Sequence, residues 1–118
     1  MIVGVGIDVV DIARFVATVE RVPRLRLRLF TEAERDLPDQ SLAARFAAKE
    51  AIAKALGTGI GRGVSWQDIQ IEHNGDGAPL VRLSGGALAT AQRRGAGRVE
   101  LSLADESDYV VAFAVLAE

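Results

Sequence analysis

Three side chains, Asp8, Glu50 and Lys54, have the types and spacing needed to handle a phosphate beside a cation. Asp8 interrupts the apolar run IVGVGIDVV (2–10) near its end. A bare carboxylate there is unfavourable unless it is paired, hydrogen-bonded or metal-bound. Glu50 and Lys54 stand one helical turn apart in FAAKEAIAKAL. Mg²⁺ is typically held by one or two carboxylates, with substrate phosphates and waters completing the octahedron. Asp8 and Glu50 could supply the carboxylates, and Lys54 could neutralise a phosphate on the ion. Arg45 and the glycine-rich GTGIGRG (57–63) could hold another, through a guanidinium and backbone N–H groups. Such parts suit phosphoryl transfer from a pyrophosphate. A metal site without catalysis fits them too, and so do plain salt bridges, since a surface Glu–Lys pair contributes only about 0.2–0.5 kcal/mol.

Glu50 and Lys54 belong to the stretch SLAARFAAKEAIAKALGTGIGRG (41–63), which predicts a helix with Ser41 as N-cap and Gly57 as the glycine just past its end. At about 100° per residue, Leu42, Phe46, Ile52 and Leu56 share a sector that Arg45 and Lys49 also enter. Ala44, Ala47, Ala48, Ala51 and Ala55 form the opposite side, where another backbone can approach closely. No broad solvated face remains to receive the charges, which points to a site.

Asp8 requires the first element. The run 2–10 is apolar on both faces and predicts a buried strand. Asp11 then caps a helix over 11–22 with Ile12, Phe15, Val16 and Val19 inward. Arg14, Arg21, Arg24, Arg26 and Arg28 follow with Glu20 as the only intervening acid, a positive patch suited to an acidic partner. No aromatics interleave with these arginines, so nucleic acid is not expected. Thr31 and Glu34 predict a capping box opening a short helix, TEAERD. A hairpin is expected across NGDG, between strands 68–73 and 79–83, then a helix over 85–95 and strands at 99–103 and 109–116. His73, the sole histidine, reads as a surface strand residue. The last strand is apolar on both faces, hence central or part of a subunit interface. The order βααα, ββ, α, ββ gives one α+β domain, with the alanine-rich helix packed on an antiparallel sheet.

The 118 residues suffice for one domain, and an apolar content of 49% predicts a globular core. The absence of Cys excludes disulfides and cysteine zinc sites and predicts a cytoplasmic location. No run is long enough to span a membrane, and a net charge of −2 argues against wholesale nucleic-acid binding.

Four segments carry a family resemblance: GVGIDVVDIARF, LFTEAE, RFAAKEAIAKALGTGIGRGVSWQDIQI and a closing SL…YVVAFAV. In order and with matching gaps, they resemble the holo-acyl-carrier-protein synthases, small single-domain 4′-phosphopantetheinyl transferases. The resemblance implies transfer of the phosphopantetheine arm of coenzyme A onto a serine of an apo acyl carrier protein, releasing adenosine 3′,5′-bisphosphate. It implies Asp8 and Glu50 as Mg²⁺ ligands and Lys54 on the pyrophosphate, with Glu50 the candidate base for the carrier serine. It implies coenzyme A binding by Arg45, Phe46, Lys54 and the loop start Gly57, Thr58 and Gly59. Arg14, Arg21, Arg24 and Arg28 match positions that meet the acidic helix of the carrier. It further implies a homotrimer with active sites at subunit interfaces.

One departure stands out. Where the family commonly has Ser-x-Ser/Thr-His, this chain has Ser102, Leu103, Ala104 and Asp105. A carboxylate near bound phosphate repels it, so either coenzyme A binds more weakly or Asp105 points away. Two other classes remain open at this stage: a non-enzymatic module that holds an acidic protein, and a Mg²⁺-dependent nucleotide hydrolase.

Overall fold

A computed structural model describes all residues, Met1–Glu118. Its elements are β1 (Ile2–Asp11), α1 (Ile12–Arg21), α2 (Arg24–Leu29), α3 (Asp39–Leu56), β2 (Ile69–His73), β3 (Pro79–Leu83), α4 (Gly85–Arg93), β4 (Arg98–Asp105) and β5 (Tyr109–Ala117), with a 3₁₀ turn at Trp66–Asp68. The strands form two antiparallel sheets rather than one: β1-β5-β4, and the hairpin β2-β3. The hairpin turns at NGDG, where Asn74 Oδ1 accepts from the amides of Asp76 and Ala78. The α+β class is as expected.

α3 lies on the inner face of the larger sheet. Val110, Ala112, Ala114 and Leu116 of β5 are fully buried there, as are Ala47, Ala48 and Ala51 of α3. Small side chains on both partners bring backbones together. A Cβ added to Gly4 or Gly6 of β1 would collide with the main-chain carbonyl oxygens of Ala55 and Ala51. Gly6→Ala is therefore expected to cost about 1–3 kcal/mol through overpacking. Urea denaturation checks this, and an unchanged midpoint would mean that strand and helix can separate freely.

β1 corrects one expectation. It is an edge strand buried on one face only. Val5, Ile7 and Val9 are 56%, 55% and 58% exposed, and they pair with Val115, Phe113 and Val111. Tyr109 and Phe113 of β5 are exposed on the same side. β5 itself is the central strand, as its two apolar faces indicated.

Three helix expectations change as well. α3 starts at Asp39 after Pro38, so Ser41 lies inside the helix and caps nothing. Residues 31–36 form turns, not a helix, and the second helix is Arg24–Leu29 instead. The Thr31–Glu34 box is half made. Glu34 Oε1 accepts from the Thr31 amide at 2.9 Å, but the Thr31 hydroxyl has no partner. Other bonds, described below, hold the Glu34 carboxylate in place. Asp11 caps α1 by accepting from the Arg14 amide at 3.0 Å, and Gly57 ends α3 with φ 84°.

Candidate active site

The register of β1 on β5 turns Asp8 inward with Ala112, towards α3. Lys54 reaches across from the last turn of α3. Its Nζ donates to Asp8 Oδ1 at 3.1 Å and to the Ile7 carbonyl at 3.0 Å. Glu50 stands one turn earlier and is half-buried. Burial first, and then the charge of Asp8, raise its pKa above the ordinary carboxylate range, while Lys54 partly counteracts them. Two acids from distant segments thus sit close enough to repel each other.

Asp8 and Glu50 both line a cavity of about 830 Å³. Its walls are mostly apolar, from Phe15, Leu25, Leu29, Phe46 and Trp66. Phe46 stacks on Trp66 at 5.1 Å between centroids and meets Phe15 at 5.2 Å. Arg14 and Arg28 line it too, and neither forms a salt bridge within the chain. Arg21 and Arg24 are likewise exposed and unpaired, outside the cavity lining. Arg26 differs from its neighbours: it pairs with Asp39 at 2.9 Å and donates to the Arg35 carbonyl, fastening α2 to the start of α3.

Arg45 is not brought to this cavity. It is buried, and its guanidinium donates to the Ile71 carbonyl at 3.1 Å and to His73 Nδ1 at 3.1 Å. Burial lowers its pKa, with Glu34 opposing. His73 is exposed at the end of β2, as expected, and serves as the acceptor. The amides of Gly57, Thr58 and Gly59 donate to the carbonyls of Lys54 and Ala53, so none is free to cradle a phosphate. Asp105 ends β4 and accepts from Gln40 Nε2 at 2.9 Å, which turns its carboxylate towards the first turn of α3.

Sequence reasoning did not identify Trp66, Phe15 or Tyr109 as cavity residues. It did flag Lys49 as intruding on an apolar sector, though without its partner. Lys49 is fully buried, and its Nζ donates to Glu34 at 2.7 Å, to the Leu29 carbonyl at 2.9 Å and to the Trp66 carbonyl at 3.1 Å. Glu34 also accepts from the Ile71 amide at 2.9 Å. Burial lowers the Lys49 pKa, while Glu34 supports the charged form. The network ties α2, the following turn, the Trp66 turn and β2 to the helix that carries Glu50.

The donor set suits Mg²⁺. Two hard carboxylates face the same cavity with no cluster of three or more acids or histidines around them, which would leave the remaining positions to water and phosphate. A dication would also offset the burial and the Asp8 charge that together raise Glu50.

The antiparallel sheet crossed by an alanine-rich helix has a counterpart among known proteins. The chain belongs to the 4′-phosphopantetheinyl transferase superfamily, whose model matches residues 4–114. Within it, the chain stands among the holo-[acyl-carrier-protein] synthases. It is 54% identical to the synthase of Micrococcus luteus over 117 residues, 98% of this chain and 91% of that protein. The structure matches the synthase of Neisseria meningitidis with a TM-score of 0.92 at 37% identity, covering 100% of both chains. It matches the Helicobacter pylori synthase, solved in complex with coenzyme A, with a TM-score of 0.84 at 31% identity, covering 96% of this chain and 99% of that one.

Proposed function

We propose that this enzyme transfers 4′-phosphopantetheine from coenzyme A to a serine of an apo acyl carrier protein, with Mg²⁺ required and adenosine 3′,5′-bisphosphate released. The observation that carries this is a cavity lined by both Asp8 and Glu50 and by the unpaired Arg14 and Arg28, with Lys54 bonded to Asp8. The names of the relatives and the coenzyme A complex of the Helicobacter pylori synthase support it.

Asp8 and Glu50 would hold the Mg²⁺, which when bound stabilises negative charge on the departing bisphosphate as a Lewis acid. Lys54 shares that role through its ammonium, and its exposure lets it leave Asp8 for a phosphate. The carrier serine loses its proton as it attacks the β-phosphate, and Glu50 accepts that proton directly or through a water. Phe46 meets coenzyme A from the cavity wall, with the loop after Gly57 alongside. Arg14, Arg21, Arg24 and Arg28 dock the acidic carrier and orient its serine, where positioning supplies much of the rate.

The exposed apolar face of Val5, Ile7, Val9, Tyr109 and Phe113 supports a homotrimer with active sites at subunit interfaces, and the cysteine-free sequence supports the cytoplasm. No helix is long and apolar enough to cross a membrane.

One mass measurement tests the reading. After incubation with Mg²⁺, coenzyme A and an apo carrier, the carrier should gain a phosphopantetheine arm, and without Mg²⁺ it should not. Phosphate release with no modified carrier would point to a nucleotide hydrolase instead, and no turnover at all would point to a binding module.

A further inference from the structure

The helix that carries Arg24 and Arg28 is too short to fix its own place. α2 has six residues, no side chain caps its start, and Leu29 is its only buried residue. A helix of under two turns satisfies few of its own backbone groups, so the side chains that grip its last carbonyls decide where it lies. Three side chains do so. Lys49 Nζ donates to the Leu29 carbonyl at 2.9 Å. Arg35 donates to the carbonyls of Phe30 and Leu27 at 3.1 and 3.4 Å, but it follows in the same segment and fastens the helix only to its own next turn. Gln67 Nε2 donates to the same two carbonyls, to Leu27 at 2.6 Å and to Phe30 at 3.2 Å. Both partners are acceptors, so the amide must present its nitrogen to them.

Gln67 stands on a fixed base, as the middle residue of the 3₁₀ turn Trp66–Asp68. Before it, the Trp66 ring stacks on Phe46 in the cavity wall, and the Trp66 carbonyl accepts from Lys49. After it, the Asp68 carboxylate accepts from the amides of Ser65 at 3.1 Å and Ala87 at 3.3 Å, which fastens the turn to α4. The Gln67 side chain is exposed and lies outside the lining of the cavity that holds Asp8 and Glu50. Its two hydrogen bonds to the end of α2 are the only ones that it makes.

We propose that Gln67 is a positioning residue for the carrier protein, a role that rests on the transferase reading above. α2 presents Arg24 and Arg28, both without a salt bridge in the chain, and contributes Leu25, Arg28 and Leu29 to the cavity wall. Gln67 holds the helix at the angle where both guanidiniums meet the acidic partner together while its serine reaches the cavity. Gln67 acts through α2 and touches neither substrate. Asp8, Glu50 and Lys54 are carried by β1 and α3 and do not depend on this grip.

Steady-state kinetics with the apo carrier and coenzyme A varied in turn, on the unmodified enzyme and on Gln67→Met, test this. Methionine keeps the length of the side chain and donates nothing. Because Gln67 is exposed, the variant should melt close to the unmodified enzyme. Its KM for the carrier should rise about fivefold, the weight of one ordinary hydrogen bond, with kcat and the KM for coenzyme A unchanged. Salt should raise the KM for the carrier in the unmodified enzyme by screening the arginines, and less so in the variant, where Arg24 and Arg28 no longer engage together. An unchanged KM for the carrier, an equal rise for both substrates, or an equal response to salt overturns the role. If the unmodified enzyme modifies no carrier, the transferase reading itself falls, and this role with it. An active enzyme with an indifferent variant removes this role alone.

Discussion

Glu50→Gln is expected to lower the rate of carrier modification by about 10²–10³-fold, the range seen when one preorganised electrostatic contact is lost. Glutamine keeps the shape of the side chain but lacks the charge that a divalent ion needs and the basicity that a serine proton needs. The same substitution should stabilise the metal-free protein. The pKa of Glu50 in the fold lies above its unfolded value, through burial and the charge of Asp8. The stability contributed by this group is therefore present in full below the unfolded pKa, and it is lost as the pH rises through the folded pKa. Near neutral pH, without metal, wild type carries that penalty and Glu50→Gln does not. Melting curves with and without Mg²⁺ would show this as a reversal. Mg²⁺ should raise the melting temperature of wild type and leave the variant nearly unmoved. A variant that keeps full activity, or that responds to Mg²⁺ as wild type does, would remove Glu50 from the metal site.

Lys49→Met should have the largest effect on stability, about 3–5 kcal/mol, because it leaves the Glu34 carboxylate buried and uncompensated. Against a total stability of about 5–15 kcal/mol, that is enough to unfold much of the population. Adding Glu34→Gln removes the stranded charge, so the double variant should recover part of the loss. Urea titration of both variants measures this. If the double variant is less stable than Lys49→Met alone, the damage comes from the lost carbonyl contacts of Leu29 and Trp66 rather than from the charge.

These residues also mark how far the sequence could be read. α3 was recognisable because its alanines, the absence of proline and Gly57 all favour the same conformation. Asp8 announced itself as an acid in an apolar strand that needed a partner, but only the fold shows that Lys54 bonds it. Lys49 showed itself by intruding on an apolar sector, but Glu34 lies on a turn whose residues imitate a helix start. Only the fold reveals that this carboxylate faces inward. The Phe46–Trp66 stack joins a helix to a loop, and no periodicity reports on such a pairing. The two apolar faces of β1 suggested complete burial, whereas a single chain covers only one of them.

The glycines of β1 and the alanines of α3 have a consequence for the proposed metal centre. Asp8 follows Gly6 by two residues, and Glu50 immediately precedes Ala51, whose carbonyl any Cβ at Gly6 would strike. The gap between the two proposed ligands is therefore gauged by main chain against main chain, with no side chain as spacer. A methyl group inserted there would push the carboxylates apart as a rigid wedge does, and ion affinity would decline before any residue touching the ion had changed.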